Sequence, residues 1–169
     1  MDSANAVVDA LRRAIQGESD GYHFYKMAAA NTADPKGKEM FEILASEELS
    51  HMEFLKSQYG AILRTGRVDP EVKLGPRKEF GSASPIFSEA LLERIKDAHV
   101  EMSALSIGMQ LELNSINLYR KEAEQASDPY LRAFYSELAE WESGHYQALF
   151  KQHELLKKDY WAAAGFAPF

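Results

Sequence analysis

The chain has no cysteine among its 169 residues. That absence excludes disulfides, thiolate metal sites, iron–sulfur clusters and a cysteine nucleophile, and it fits a reducing compartment. Positive charge is also scarce. Lys and Arg number 19 against 26 Asp and Glu, a formal net charge of −7, and the isoelectric point is near 5.3. A surface for nucleic acid or for an anionic membrane is therefore not expected. No run reaches the roughly 18 apolar residues of a membrane span. Met1-Asp2-Ser3-Ala4-Asn5 has no basic segment leading into an apolar one, so no signal peptide is expected. Sustained strand-type alternation is missing too. These absences predict one all-α domain over residues 1–169, large enough for a sizeable core and cytoplasmic by default.

What is present is helical periodicity. It runs from Ala4 to about Ala30, through Val7, Val8, Leu11, Ala14, Ile15, Tyr22, Tyr25 and Met27. Gly17 and Gly21 interrupt it, and their four-residue spacing reads as a place where another backbone comes close. Asp34-Pro35 supplies an N-cap and a first-turn proline for a second helix reaching about Tyr59, with Gly60 as its C-cap. From Ala61 to Ser84 the periodicity disappears, and Gly66, Pro70, Gly75, Pro76, Gly81 and Pro85 punctuate the chain. A loop this long suits a crossover along a bundle, which would bring the third long helix in parallel to the second. A short amphipathic helix is predicted over Ile86–Lys96, with a bend near Asp97-Ala98-His99. The third long helix then covers about Val100 to Ala126, and after Asp128-Pro129 a fourth runs from Pro129 to about Asp159. The apolar tail, Tyr160 to Phe169, is expected to pack on the body or on another subunit. The predicted architecture is a four-helix bundle of two antiparallel hairpins, joined by a long crossover that contains a short extra helix.

The two hairpins repeat one another. Laid on residues 100–150 without a gap, residues 6–56 bring Glu18 onto Glu112, Tyr25 onto Tyr119 and Asp34-Pro35 onto Asp128-Pro129. Glu48 and His51 fall on Glu142 and His145. A single Glu-x-x-His is weak, because most helical pairs of this kind are solvated surface. Two copies in register, each with a partner Glu and Tyr, point to a metal site. On a helix the Glu and the His share a face. Glu18 and Glu48 are equally far from the first turn, and Glu112 and Glu142 from the second, each about 20 Å along the helix at 1.5 Å per residue. Pairing the hairpins brings four carboxylates and two imidazoles to one level. Buried without counter-charge, four carboxylates would repel one another and take up protons. Two divalent cations would balance them, and an oxygen-rich set with one imidazole per metal suits iron or manganese.

On these residues the chain resembles the ferritin-like di-iron superfamily and, within it, the helical domain of the rubrerythrin family, over about Ala6–Phe150. The resemblance implies a ferritin-like four-helix bundle holding two iron ions, with manganese or zinc as alternatives. It implies that Glu48 and Glu142 bridge the metals, with Glu18 and His51 terminal on one and Glu112 and His145 on the other. It further implies reduction of hydrogen peroxide, or reaction with dioxygen, in protection against oxidative stress. Two departures bear on this. Without cysteine the chain lacks the rubredoxin-type domain of many members and needs a separate electron donor such as a rubredoxin. The family's extra Glu, one turn before the third-helix ligand, is here Met109, opposite Ile15 in the repeat. The remaining symmetric set makes a ferroxidase or iron-handling role the competitor to a peroxidase, and a structural bundle with a zinc or vacant site the third reading. A homodimer is the expected assembly.

Tyr25 and Tyr119 lie two turns past a ligand Glu and are expected to hydrogen-bond a ligand carboxylate. Gly108 and Gly144 read either as room for a small oxidant or as close helix packing. His23, His99 and His153 lack a partner at ligand spacing. Glu47 and Glu53, rotated by about 100° and 140° from Glu48, are expected to face solvent, and Trp141 to be core.

Overall fold

The computed structural model describes residues 2–75, 87–93 and 95–163. Its long helices are α1 (Asp2–Asn31), α2 (Pro35–Thr65), α4 (His99–Gln125) and α5 (Pro129–Ala163), with the short α3 (Glu89–Glu93) between α2 and α4. A 3-10 turn, Ile95–Asp97, follows α3 and leads through a turn at Ala98 into α4. The bend expected there is present. No strand occurs among the described residues, and the architecture is an all-α bundle. The expected positions Pro76, Gly81, Ser84, Pro85 and Ile86, the start of the chain at Met1 and the tail beyond Ala163 lie outside the described residues.

Both Asp-Pro turns work as local chemistry requires. Asp34 Oδ1 accepts from the Gly37 N–H at 2.8 Å, capping α2 with Pro35 in its first turn. Asp128 Oδ1 accepts from the Tyr130 N–H at 2.8 Å and does the same for α5. Asp34 also reaches out of its own hairpin, because its Oδ2 accepts from the backbone and the hydroxyl of Ser88. Phe87 lies so close that a Cβ on Gly37 would stand 2.6 Å from its ring. The crossover is thereby pinned to the first turn.

α2 does not end at Gly60. It continues for another turn to a left-handed cap at Gly66, φ 75°, whose N–H returns to the Ile62 carbonyl. A helical glycine is tolerated where packing on either side continues, and Ala61 and Ile62 are buried. After Gly66 the chain turns back. Gln58 holds this start of the crossover through both atoms of its amide, donating to the Asp69 carbonyl at 2.9 Å and accepting from the Asp69 N–H at 2.7 Å.

The crossover therefore leaves one end of the bundle at Thr65 and arrives at the other, beside Asp34. α4 starts at that same end, where Glu101 accepts from the Thr32 hydroxyl and from the Ala33 N–H. α2 and α4 run in parallel. Two apolar clusters fill the interior. One, near the first turn, is built around Phe41, Leu44, Leu105 and Leu149. The other, near the second turn, is built around Leu11, Leu55, Phe134 and Leu138. Between them lies a layer of charge.

Candidate metal centre

Each of the four long helices contributes to that layer at the level where its apolar periodicity is broken by acid. Glu18 comes from α1, Glu48 and His51 from α2, Glu112 from α4, and Glu142 and His145 from α5. None of the six is more than 4% exposed, so they are shielded from water by both apolar clusters. Their donor atoms form two overlapping groups. Glu18, Glu48, His51 and Glu142 make one, and Glu48, Glu112, Glu142 and His145 the other, with the donor atoms in each all within 4.8 Å of one another. Glu48 and Glu142 belong to both.

Both imidazoles turn Nδ1 into this layer. His51 Nδ1 is 3.2 Å from Glu18 Oε2 and 2.9 Å from Glu142 Oε1. His145 Nδ1 is 3.2 Å from Glu48 Oε1, 3.1 Å from Glu142 Oε2 and 3.7 Å from Glu112 Oε2. The rings stack with centroids 5.5 Å apart and planes 13° from parallel. Among the described residues, the cationic partners of the four carboxylates are these two imidazoles. Glu48 Oε1 and Glu142 Oε1 are buried without a hydrogen bond of good geometry among the described residues. Orphaned carboxylate oxygens, aimed inward beside two imidazole nitrogens, fit a cation as their partner.

The electrostatics carry the same strain. Burial, then the charges of Glu142, Glu112 and Glu18, push the Glu48 carboxyl well up. Burial likewise pushes Glu112 up to about 8, against the opposing pull of His145. Burial would also raise Glu142, but the charge of His51 and hydrogen bonds from both histidines outweigh it and hold that carboxylate well below the usual range. Burial works against charging the histidines, yet the surrounding carboxylates raise both His51 and His145 well above the usual imidazole value. Without metal, protons do part of a cation's work.

The two tyrosines cross between hairpins. Tyr25 on α1 donates to Glu112 on α4, and Tyr119 on α4 donates to Glu18 on α1. Each phenol thus serves a carboxylate of the other hairpin rather than the Glu on its own helix. Burial first, and then the neighbouring carboxylates, push both phenols well above their usual value, so they remain donors at neutral pH.

Glycine makes the room. A Cβ at Gly21 would stand 3.0 Å from Glu48 Oε2, and one at Gly108 would stand 3.1 Å from the Tyr25 hydroxyl and from Leu149. The close neighbour of Gly21 is a carboxylate and not the backbone expected from its spacing with Gly17, which has only Ser115 Oγ at 4.0 Å. Gly108 is packing space, filled by Tyr25.

Glu47 corrects the expectation that it faces solvent. It is 4% exposed, and its Oε2 lies 2.7 Å from His145 Nε2. In a four-helix bundle each helix has two neighbours, so a residue about 100° from the ligand face can point at the adjacent helix. The repeat held the signal, because Glu47 is in register with Trp141, and a bulky aromatic beside Glu142 marks a position that is not solvent. Trp141 is half-buried and meets the His51 ring edge-to-face, centroids 5.1 Å apart and planes at 87°. Glu53 is exposed as expected. His23 and His99 are exposed, with His99 Nδ1 2.6 Å from the Tyr160 hydroxyl, and His153 lies beside Glu154 away from the cluster. Tyr160 also packs against the apolar cluster near the first turn, which brings the described start of the tail onto the body. No helix among the described residues is long and apolar enough to cross a membrane.

Compared with known families, residues 9–154 match the family model described as Rubrerythrin. No curated protein and no solved structure matches the chain.

Proposed function

The chain belongs to the rubrerythrin family, a family of di-iron proteins, and on that premise we propose that its buried cluster is a di-iron centre that reduces hydrogen peroxide with electrons from a separate donor. One observation supports this most directly: two four-residue groups, each of three carboxylates and one imidazole, overlap in Glu48 and Glu142. In this reading Glu18 and His51 would hold one ion and Glu112 and His145 the other, with Glu48 and Glu142, which belong to both groups, serving both. Iron bound there would supply the two electrons that, with two protons, reduction of one peroxide to two waters requires.

The chain's own groups prepare that chemistry. The apolar clusters on either side keep bulk water out. Tyr25 and Tyr119 keep Glu112 and Glu18 oriented by donating to them, and their raised pKa values keep the phenolic protons in place. Protons held on Glu48 and Glu112 without metal leave as metal binds, so loading is favoured by higher pH. Residues 1–169 hold no cysteine for an iron–sulfur centre, and in this reading the electrons come from a carrier such as a rubredoxin. The assembly is a homodimer working in the cytoplasm, in defence against oxidative stress.

A ferroxidase is the second reading, and Met109 favours it. One turn before Glu112 on α4, Met109 is half-buried and packs against the apolar cluster. The two proposed ligand sets are then alike, one terminal Glu and one His each. Anaerobic protein loaded with two ferrous ions and mixed separately with peroxide and with dioxygen decides between them. Faster oxidation by peroxide is expected. Oxidation by dioxygen at an equal or greater rate overturns the peroxidase in favour of the ferroxidase.

A further inference from the structure

Although the proposed ligand sets are alike, what stands behind the two histidines is not. His145 turns Nε2 toward Glu47 Oε2 at 2.7 Å, inside the buried layer. In the neutral ring that a metal requires, an Nε2–H donated to that carboxylate leaves the Nδ1 lone pair facing Glu48, Glu112 and Glu142. His51 Nε2 is buried and has no hydrogen-bond partner among the described residues. Its ring lies against Trp141, which occupies in the second hairpin the register position that Glu47 occupies in the first. An indole ring in edge-to-face contact can hold the His51 ring by packing, but it is no acceptor for an Nε2 proton. The carboxylate fixes one tautomer of His145, holds its ring and raises its basicity as a ligand.

We propose that Glu47 is a positioning residue that makes the two metal positions unequal, so that the position containing His145 and Glu112 fills first and the position containing His51 and Glu18 second. This rests on the di-metal reading of the cluster. The exchange of Glu47 for a register-equivalent aromatic breaks the two-fold likeness directly behind the histidines and leaves all six proposed ligands matched. The consequence is an ordered loading that ligand identity alone does not produce.

The test is anaerobic titration of the metal-free protein with Mn(II), followed by calorimetry and by electron paramagnetic resonance at one equivalent. Wild type is expected to show two dissociation constants separated by about tenfold or more, with mononuclear Mn(II) dominating at one equivalent. Glu47→Gln and Glu47→Ala should weaken the tighter constant by about the wild-type separation, roughly tenfold or more, and leave the weaker one in place. The variants then give a near-statistical mixture of empty, singly and doubly loaded protein at one equivalent. Glu47→Asp, which keeps the charge, should recover part of the loss, and Trp141→Phe should change neither constant more than about threefold. Equal constants in wild type, spin-coupled pairs at one equivalent, or a Glu47→Gln titration identical to wild type would each overturn the inequality while leaving the di-metal reading intact. Absence of Mn(II) binding by wild type overturns both. Circular dichroism of each metal-free variant separates a misfolded protein from a weakened ligand, and the Trp141→Phe variant reads the other position independently.

Discussion

In the first hairpin Glu47 stands beside Glu48 and reaches across to His145; in the second, Trp141 takes the equivalent place beside Glu142 and meets His51. The comparison extends along both hairpins. Tyr25 stacks on Phe41 with ring centroids 6.4 Å apart, and its counterpart Tyr119 stacks on Tyr135 at 6.3 Å. The rings match, but the Tyr135 hydroxyl is buried without a hydrogen-bond partner among the described residues and Tyr135 lines a groove of about 360 Å³ at the second turn. At the first turn the corresponding end is closed by Phe87, Leu91 and Ile95 from the crossover. Groups facing the cluster are kept alike in the two halves, and groups behind it have diverged. A duplicated charged site tolerates change where the contact is with a neighbour and not with the shared centre, because the inward carboxylates crowd round the same two imidazoles.

Removing a shared carboxylate breaks the comparison most severely. Glu48→Ala or Glu142→Ala should take bound metal from two ions per chain to one or none, since each belongs to both groups. Glu18→Ala or Glu112→Ala, each in one group only, should retain one. Metal analysis after anaerobic loading measures both, and an unchanged stoichiometry in Glu48→Ala would falsify its place at the centre.

The next effect is that of pH on the metal-free protein. Glu112 is raised to about 8, and Glu48, His51 and His145 are raised well above their usual values. A folded-state pKa above the unfolded one means that the protonated form is the stabilised one. That stability is fully present below the unfolded values, about 4.3 for Glu and 6.5 for His, and is lost as pH rises through the folded ones. Glu142 is depressed and acts oppositely, losing its contribution as pH falls below the unfolded Glu value. The metal-free melting temperature should therefore drop between pH 5 and pH 9. Glu112→Gln should flatten the part of that drop near pH 8, and saturating metal should reverse the slope, because binding releases protons. A metal-free protein that gains stability from pH 5 to 9 would contradict the raised carboxyls.

Smaller again are the crossed tyrosines. Tyr25→Phe and Tyr119→Phe each remove a buried donor from a carboxylate, and each should destabilise by about 1–3 kcal/mol in denaturant unfolding. The two costs should agree within about 1 kcal/mol if the hairpins are equivalent at this level. A larger gap would show that the asymmetry behind the histidines has spread to Glu18 and Glu112. Smallest is Gly17→Ala. A Cβ there meets only Ser115 Oγ at 4.0 Å, so the helix should gain about 0.5–1 kcal/mol. The same change at Gly21, against Glu48 Oε2 at 3.0 Å, should instead weaken metal binding. Thermal melts and metal titration of the pair distinguish them.

Much of this was legible before folding. Periodicity located the four long helices, and the Asp-Pro caps located the turn of each hairpin, because caps and periodicity are properties of a few neighbouring residues. The repeat put Glu18, Glu48, His51, Glu112, Glu142 and His145 at one level. Where the reading failed, a neighbour from elsewhere in the chain decided. α2 runs past Gly60 because the flanking residues are packed. Gly21 answers to a carboxylate on α2, and Glu47 to a histidine on α5. Glu101 is buried by its bonds to Thr32 and Ala33, and no pattern within α4 announces it.

The sequence by itself determined the helices, their caps, the duplicated Glu and His spacing and the exclusion of cysteine chemistry, since all of these follow from order along the chain and from residue type. Only the tertiary structure decided which carboxylate each tyrosine serves, which glycine makes room for which side chain, and what lies behind each imidazole. Those contacts join helices that are distant in sequence, and their partners are set by how the hairpins dock and not by spacing within either one.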